Sequence, residues 1–475
     1  MATLLGPRKT IEETLDATEV EGSRLKRDLG SLDVLVIGVG VIIGAGIFTL
    51  VGQGAGVAGP AVTLSFVLAG VVCALAAFCY AELAAMVPAS GSAYTYAYAT
   101  LGQLVAFIIG WDLVLEFTIG ASAVAVSFAG YLNSLLDQVF GVTIPDAITS
   151  PPGDGGTVNL FAVAIVLLVG FVLIRGIQIT ARFNKYLVGL TIVVLLVVIG
   201  VGITEVDTSN WKPYFPNGWN GVHEGAALLF FAYIGFDIVA TTAEESKNPK
   251  RSMPIGILGS LGIVTVLYIL VAGVITGMKP FDQLTGDAPV ADAFKGVGMD
   301  WVAAFIYVGA LVAVLKTVML LMLGQSRVAF AMARDNLLPA GLAKTHPQWG
   351  TPYRITLVTM GFVALLAGVV PLSTLAELVN IGTLFAFIVV SIGVMVLRRT
   401  AADQERSFRV PGLMVVAPLS VLGCVYLMAK LPLDTWLRFL VWMAIGLVVY
   451  FAYSVRASRV SAARAGKNPP ERTDG

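Results

Sequence analysis

The stretch GVGVIIGAGIF (residues 38–48) places four glycines among eleven otherwise apolar residues. Each glycine weakens a helix by about 1 kcal/mol relative to alanine. Counted at 1.5 Å per residue from Leu32, Gly44 lies roughly 18 Å along the segment, near the middle of a hydrocarbon core about 30 Å thick. Non-helical backbone at that depth is tolerated only inside protein or around a cavity. The stretch therefore predicts a membrane helix that is interrupted halfway along its length.

A second weak point occurs in FFAYIGFD (230–237), where Gly235 follows a run of bulky residues. The first of these two helices starts five apolar segments before the second. Because five is odd, a second group of five segments enters the membrane upside down relative to the first. Paired interrupted helices in inverted halves indicate a transporter site. Glycines that only allow close helix packing would leave the same pattern, so both interpretations stay open at this point.

The composition favours a membrane protein around these helices. Of 475 residues, 57% are apolar and 13% are charged, against roughly 25% charged in an average soluble domain. This excludes an ordinary soluble enzyme, a disordered chain and a nucleic-acid-binding protein. Three cysteines inside apolar runs and two histidines give no basis for a disulfide framework or a metal site. We expect no metal, no cofactor and no catalytic residues.

Twelve apolar segments approach the length needed to cross a membrane, and we number them 1 to 12. Their predicted limits are 32–55, 62–87, 103–136, 157–174, 184–204, 221–243, 255–277, 299–326, 355–371, 373–397, 412–430 and 435–455. We therefore predict an all-α polytopic membrane protein with a 5+5 inverted-repeat core. The transport core covers 32–399, peripheral helices cover 400–455, and tails cover 1–31 and 456–475.

The basic residues are distributed unevenly between the two sides of these segments. With the N-terminus inside, 24 Lys and Arg residues lie on the cytoplasmic side and 5 on the other, while Lys316 falls inside segment 8. This bias predicts that both termini are cytoplasmic. We expect a multi-pass protein of the cell membrane, in contact with lipids. The first 31 residues show no pattern of a cleaved signal peptide.

Six stretches together resemble one transporter family. They are GVGVIIGAGIF (38–48), CYAELAAMVPASGSAYTYAYATLG (79–102), GWDLVLE (110–116), AYIGFDIVATTAEESKNPKRSMPIGI (232–257), GQSRVAFAMARDNLLP (324–339) and NIGTLFAFIVVSIGVMVLRR (380–399). Over roughly residues 25 to 455, the chain resembles the cationic amino acid transporter family of the amino acid–polyamine–organocation superfamily. The resemblance implies alternating-access transport of L-amino acids and no enzyme activity.

In that family the amine and carboxylate of the substrate bind at the two helix interruptions. The resemblance assigns this role to Ile42, Ile43, Gly44, Ala45, Gly46, Phe231, Ala232 and Ile234. Carbonyls released at the end of one half-helix accept from an ammonium, and N–H groups at the start of the next hold a carboxylate. The chain departs from the family at two positions. Ala45 replaces a hydroxyl residue of several bacterial members, and Thr191 stands where proton-coupled members often carry a lysine.

Lys316 is the most informative charge inside a segment. It lies about 25 Å from the outer end of segment 8, too deep to reach either surface comfortably. A buried charge of this kind is functional by default. In sodium-coupled relatives of the fold, segments 1 and 8 form a cation site. Our hypothesis is that Lys316 supplies an ammonium there and exchanges a proton, with a structural lysine in a polar vestibule as the alternative.

Two acids and one apolar residue complete the candidate site. Glu116, one helical turn beyond Asp112, could hold a proton, meet a cationic substrate side chain or lock segment 3 in place. Asp237 is a further proton-coupling candidate that could pair with Lys316 or with released backbone. Leu321 is predicted to contact the substrate. The apolar stretch around it permits small neutral amino acids, whereas Glu116 favours cationic ones, so the sequence leaves the substrate open.

Several mechanisms are compatible with these residues. A proton symporter that imports L-amino acids is the main prediction, with an amino acid exchanger or a transporter-like sensor as alternatives. A channel lacks a repeated filter signature, and a membrane enzyme lacks a clustered nucleophile, base or metal set. Among partners we expect the amino acid and membrane lipids, and an accessory membrane protein is left open.

Overall fold

The computed structural model describes residues 27–89, 91–176, 181–284, 286–455 and 457. Most of the predicted tails, 1–26 and most of 456–475, lies outside these residues. In the described part of the chain, the regular secondary structure is helical. The β contact found there is an isolated bridge between Leu29 and Ser246. The predicted all-α fold class is confirmed.

The helices follow the predicted segments closely. Segment 1 consists of Ser31–Ile42, a π-helical turn Gly46–Leu50 and Val51–Ala58, and segment 6 of Gly218–Leu229, a 3-10 turn Phe230–Tyr233 and Phe236–Ala240. The other segments form Val62–Met86, Gln103–Phe140, Leu160–Ile174, Ala181–Gly202, Pro249–Met278, Asp300–Arg334, Tyr353–Val369, Leu372–Thr400, Leu413–Ala429 and Leu433–Val449. Segment 8 runs on to Arg334, beyond its predicted limit, and carries its last turns out of the apolar stretch.

Eight of these elements are long and apolar enough to cross a membrane, which makes the chain a multi-pass membrane protein. One of the eight is the continuous stretch Ser31–Met86, which contains segments 1 and 2. The run from Gly52 to Pro60 separates predicted segments 1 and 2 and is expected to form the turn between them, but the helix continues to Ala58 and the chain turns only at Gly59. Gly59 adopts a φ of +67°, which favours glycine, and Pro60 starts the short 3-10 turn before segment 2.

Glycines let the central helices approach closely. Segment 7 packs against segments 1 and 2, and segment 3 lies along segment 8. A Cβ added to Gly38 would lie 2.6 Å from the Oγ of Ser260, so no side chain fits between segments 1 and 7 there. Close packing therefore accounts for Gly38, whereas Gly44 lies at an interruption of the helix.

Candidate functional site

Segment 1 leaves helical geometry in the middle of its apolar run. Ile43 is extended, with φ −76° and ψ 101°, and the chain resumes at Gly46 as a π-helical turn. Such turns occur frequently at functional sites. Released carbonyls find side-chain donors: the Tyr268 hydroxyl donates to Ile42 O at 2.9 Å, and the Thr317 hydroxyl is shared between Ile43 O, at 3.3 Å, and Ala313 O of its own helix, at 3.0 Å. The interruption is therefore held by segments 7 and 8.

Segment 6 is interrupted by a change of backbone direction at Ile234 and Gly235. Ile234 is extended, and Gly235 has a φ of +125°, a conformation that side chains disfavour. A Cβ on Gly235 would also lie 2.6 Å from Val41 Cγ1. The Asp237 carboxylate accepts from the Gly235 N–H at 3.1 Å. Of the two partners expected for Asp237, the structure therefore has the released backbone and not Lys316.

The two interruptions contact each other. A Cβ on Gly46 would overlap the backbone of Ala232, so segments 1 and 6 meet here without an intervening side chain. A small cavity opens beside this contact. Its walls are Val41, Ile42, Gly44, Ala45, Gly46, Gly120, Val124, Phe231, Ile234, Thr317 and Leu321.

Most of the predicted substrate-binding residues lie on this wall. They are Ile42, Gly44, Ala45, Gly46, Phe231, Ile234 and Leu321. Ile43 instead presents its carbonyl to Thr317, and Ala232 packs against Gly46. Glu116 is not part of the wall. A carboxylate for a cationic side chain is thus absent from the residues that line the cavity.

Sequence reasoning missed five residues. Four line the cavity (Val41, Gly120, Val124 and Thr317), and the fifth, Asn380, donates to the carbonyls of Ala227 and Leu228 just before the interruption of segment 6. Gly120 and Val124 follow Glu116 at intervals of four residues, so helical periodicity would have placed them on one face of segment 3. Thr317 could have been noticed as the hydroxyl beside Lys316. Nothing in the sequence marks Asn380, because its role depends on which helix faces it.

The cavity wall is apolar apart from its backbone and one hydroxyl. Val41, Val124, Phe231, Ile234 and Leu321 present hydrocarbon, and Thr317 supplies the hydroxyl. Backbone N–H and C=O groups of the two interruptions are the remaining polar groups. This arrangement can hold an ammonium and a carboxylate through backbone while surrounding an uncharged side chain with apolar atoms.

Lys316 lies where segments 1, 5 and 8 meet. Its side chain is only 2% exposed, and Nζ has no hydrogen-bond partner among the described residues. A Cβ on Gly40 would lie 3.5 Å from Nζ and 2.6 Å from Val188 Cγ2. Lys316 also directly precedes Thr317, which contacts the interruption of segment 1. The ammonium is therefore placed against the first half of segment 1, Ser31–Ile42, which is the inner half if the N-terminus is cytoplasmic.

A carboxyl cluster, formed by Asp112, Glu116 and Asp237, lies in segments 3 and 6. All three side chains are buried, at 0%, 2% and 0% exposure. Glu116 interacts electrostatically with both other acids. Neither oxygen of Asp112 has a hydrogen-bond partner in the part of the chain that the structure describes, and a Cβ on Gly382 would lie 2.9 Å from its Oδ1. The cluster thus brings segments 3, 6 and 10 together around three acids.

Ion pairs hold the helices on the face that carries the N-terminal segment. Lys185 Nζ lies 2.5 Å from Asp33 Oδ1 and joins segment 5 to the start of segment 1. Arg327 of segment 8 lies 2.7 Å from Glu245, just after segment 6. The Lys185–Asp33 pair is partly exposed, whereas Lys316 is buried. Both ion pairs lie outside the cavity wall.

Comparisons with known proteins agree with this architecture. A model of the amino acid permease family matches residues 29–454. The chain is 47% identical over 460 residues to the branched-chain amino acid permease BcaP of Bacillus subtilis, covering 96% of this chain and 98% of that one. It is also 47% identical over 454 residues to the methylthioribose transporter of Bacillus subtilis (95% and 98% covered). Identity to the vacuolar cationic amino acid transporter 4 of Arabidopsis thaliana is 39% over 387 residues (80% and 64% covered). These relatives are permeases and transporters, not enzymes.

Proposed function

We propose that this chain, which belongs to the amino acid permease family, imports a small neutral L-amino acid by proton symport and alternating access. Family membership confirms the resemblance indicated by the six sequence stretches, and amino acid transport is the function the family supports. The apolar wall of the cavity is the observation that supports a neutral amino acid as the substrate. The position of Lys316 supports the choice of coupling ion.

We propose a membrane arrangement of twelve spans, of which the first ten form two inverted halves. The interruptions of segments 1 and 6, which occupy corresponding positions five segments apart, support this arrangement. The bias of basic residues supports cytoplasmic termini and a place in the cell membrane. The face that carries Leu29 and the Lys185–Asp33 pair is then the inner face. The inverted halves supply the two states that alternating access requires.

The cavity favours a neutral over a cationic amino acid. Its backbone groups suit the ammonium and carboxylate that all amino acids share. A cationic side chain would need a carboxylate to offset its desolvation, and no acid lines the wall. Glu116 precedes the wall residue Gly120 by one helical turn and is not itself part of the wall. An apolar side chain needs no such acidic partner.

The place of Lys316 supports proton coupling. An ammonium against the inner half of segment 1 can fulfil the role of a bound cation. Because Nζ has no acidic partner among the described residues, loss of its proton would leave no carboxylate charge uncompensated. Deprotonation would remove a buried charge that has no partner among the described residues and let the inner half of segment 1 move. If Lys316 stayed protonated throughout the transport cycle, its role would be structural. The protein would then act as an amino acid exchanger and not as a proton symporter.

Uptake into liposomes that carry the purified protein tests this function. Labelled alanine, leucine and arginine are offered with an inward proton gradient, with an inward sodium gradient, and with neither, and unlabelled methylthioribose is added as a competitor. We expect concentrative uptake of alanine or leucine with the proton gradient alone. Uptake that required unlabelled amino acid inside the liposome at every pH would contradict symport. Faster arginine uptake, or full competition by methylthioribose, would contradict the neutral amino acid. Binding without flux would indicate a sensor.

A further inference from the structure

The loop between segments 7 and 8 lies directly on the outer half of segment 1. It contains the short helix Pro289–Gly296. A Cβ on Gly52 would overlap Leu284 O and lie 2.8 Å from the Cβ of Pro289, so the loop touches the backbone of segment 1. The residues of the cavity wall are buried in this conformation, and the loop covers the outer half of segment 1.

Tyr131 of segment 3 holds the same half of segment 1 from another side. Its hydroxyl donates to Phe48 O at 2.6 Å, and its ring meets the edge of the Phe48 ring with centroids 6.1 Å apart. Tyr131 is fully buried. Phe48 belongs to the π-helical turn that follows the interruption, two residues beyond the cavity wall residue Gly46. Tyr131 therefore fixes the start of the outer half of segment 1.

Tyr307 of segment 8 connects Tyr131 to the outer loop. The Tyr307 hydroxyl donates to Asp292 Oδ1 at 2.8 Å, and Asp292 lies in the helix Pro289–Gly296. The Tyr131 and Tyr307 rings contact edge to face, with centroids 6.2 Å apart. A continuous path of contacts thus runs from the outer loop through two tyrosines to the interruption of segment 1.

A second carboxyl, Asp287, lies at the edge of this path. A Cβ on Gly130 would lie 2.9 Å from the Asp287 Cβ, so the loop also packs closely on segment 3. Asp287 keeps an exposed side, yet burial against its neighbours raises its pKa, and the carboxylates of Asp154, Asp292 and Asp146 raise it further. The surroundings of Asp287 therefore favour its protonated form.

Burial also raises the pKa of Asp292, which is half-buried. The Tyr307 hydrogen bond and the charges of Lys279 and Lys295 act in the opposite direction. Asp137, at the outer end of segment 3, faces Tyr307 as a further charged group. A conformation that raises the pKa of a carboxyl is most stable in acid, and this stability is lost as the pH rises through the raised pKa. Acid on the outer face should therefore favour the covered cavity.

We propose that Asp292, Tyr307 and Tyr131 are positioning residues that latch the outer half of segment 1 over the cavity, with Asp287 and Asp292 making the latch responsive to outside pH. With an inward proton gradient the outside is acidic, and acid favours closure of the outer approach to the cavity. The latch therefore acts in the same direction as the gradient. The proposal rests on the proposed function for which face is outer and for the direction of transport.

Thiol labelling tests the latch without requiring transport. A cysteine replaces the wall residue Val124, and a membrane-impermeant thiol reagent is applied from the outer face to cells that express the full chain. The unsubstituted chain measures background from Cys73, Cys79 and Cys424, which are all buried. A Thr208→Cys reporter in an exposed loop corrects for the effect of pH on the reagent itself. The corrected labelling rate of Val124→Cys reports outer opening.

We expect the corrected labelling rate to rise at least about threefold from mildly acidic to mildly alkaline outside pH, a change of under 1 kcal/mol. Tyr131→Phe and Tyr307→Phe should raise it at both pH values, and Asp287→Asn with Asp292→Asn should flatten the pH response. Tyr214→Phe is the matched control, since its hydroxyl contacts Thr63 and not segment 1. Labelling that ignores pH, or that is unchanged in both latch variants, would overturn the proposal. If labelling responds to pH and to the latch variants but the protein shows no proton-driven uptake, the latch is supported and only the proposed function is contradicted.

Discussion

Lys316 and the carboxyl cluster lie close to the same cavity but are buried in different ways. Lys316 is one ammonium among apolar side chains and backbone, next to the interruption of segment 1. The cluster gathers Asp112, Glu116 and Asp237, with no basic residue among the described contacts of the three acids. The two regions do not neutralise each other, since Asp237 accepts from Gly235 backbone instead.

This difference separates two roles for buried ionisable groups. A single ammonium can be present or absent as a charge, and its loss changes the electrostatic surroundings where segments 1, 5 and 8 meet. Three buried acids that interact with one another repel one another wherever more than one of them is charged. We infer that Lys316 is the group whose charge changes during transport. The cluster then mainly holds segments 3, 6 and 10 in register.

The largest effect is expected for Lys316→Met, which removes the buried ammonium and leaves the carboxyl cluster unchanged. Methionine keeps an unbranched side chain one atom shorter than that of lysine and removes the charge. Proton-driven uptake should fall by about tenfold or more, equivalent to at least about 1.4 kcal/mol, and its pH dependence should disappear. Lys344→Met, at an exposed loop position, is the control. Full proton-driven accumulation by Lys316→Met would show that the ammonium is not the coupling group.

Variants of Asp237 should show whether this site needs a hydrogen-bond acceptor or a negative charge. Asparagine keeps an oxygen that can accept from the Gly235 N–H, whereas alanine removes it. We expect Asp237→Ala to destabilise the protein by about 1–2 kcal/mol, as expected for a lost helix cap, and Asp237→Asn to cost much less. Thermal unfolding in detergent measures both. Equal losses in the two variants would mean that the charge, and not the acceptor, is what the site needs.

Thr317→Val sharpens the comparison by leaving Lys316 in place and removing the hydrogen bond to Ile43 O. The lost bond should cost about 1 kcal/mol, and uptake should slow about fivefold while it stays proton-driven. Initial uptake rates with and without a proton gradient measure the two effects separately. Thr276→Val is a comparable control, since its buried hydroxyl donates within its own helix, to Ala272 O and Gly273 O. Loss of proton coupling in Thr317→Val would move the coupling function from Lys316 to the hydroxyl.

The smallest effect is expected for the ion pair of Lys185 and Asp33. Their side chains are 41% and 21% exposed, so solvent screens the attraction. Partly exposed pairs contribute about 0–1 kcal/mol. Lys185→Met should therefore change uptake less than about threefold, and high salt should reproduce the change in the unsubstituted chain. A loss as large as that of Lys316→Met would make this pair, and not the buried lysine, the element that controls segment 1.

The sequence predicts the interruptions of this fold because their causes are local. Glycine density in segment 1 and Gly235 after a bulky run both mark places where helical hydrogen bonds are weak, and both places are interrupted in the structure. The turn after segment 1 is less well predicted. Glycines from Gly52 onward suggest an early turn, but Gly52 supports close packing of the outer loop and the helix continues to Ala58.

Partners across the fold could not be predicted in the same way. Which acceptor Asp237 uses, and whether Glu116 reaches the cavity, depend on the rotation of segments 3 and 6 about their axes. That rotation is fixed by packing with segments 8 and 10, many residues away in the chain. Asn380 is the clearest case, since its contacts with Ala227 and Leu228 join residues more than 150 positions apart. A single segment carries no information about such a contact.

The most direct test of the central claim measures proton movement itself. Protein-containing liposomes without any gradient receive unlabelled leucine or alanine, and a pH indicator follows the outside solution. We predict that substrate makes the outside more alkaline as protons enter with it, and that Lys316→Met abolishes this signal. Labelled uptake that proceeds with no proton movement, or an unchanged signal in Lys316→Met, would contradict the account.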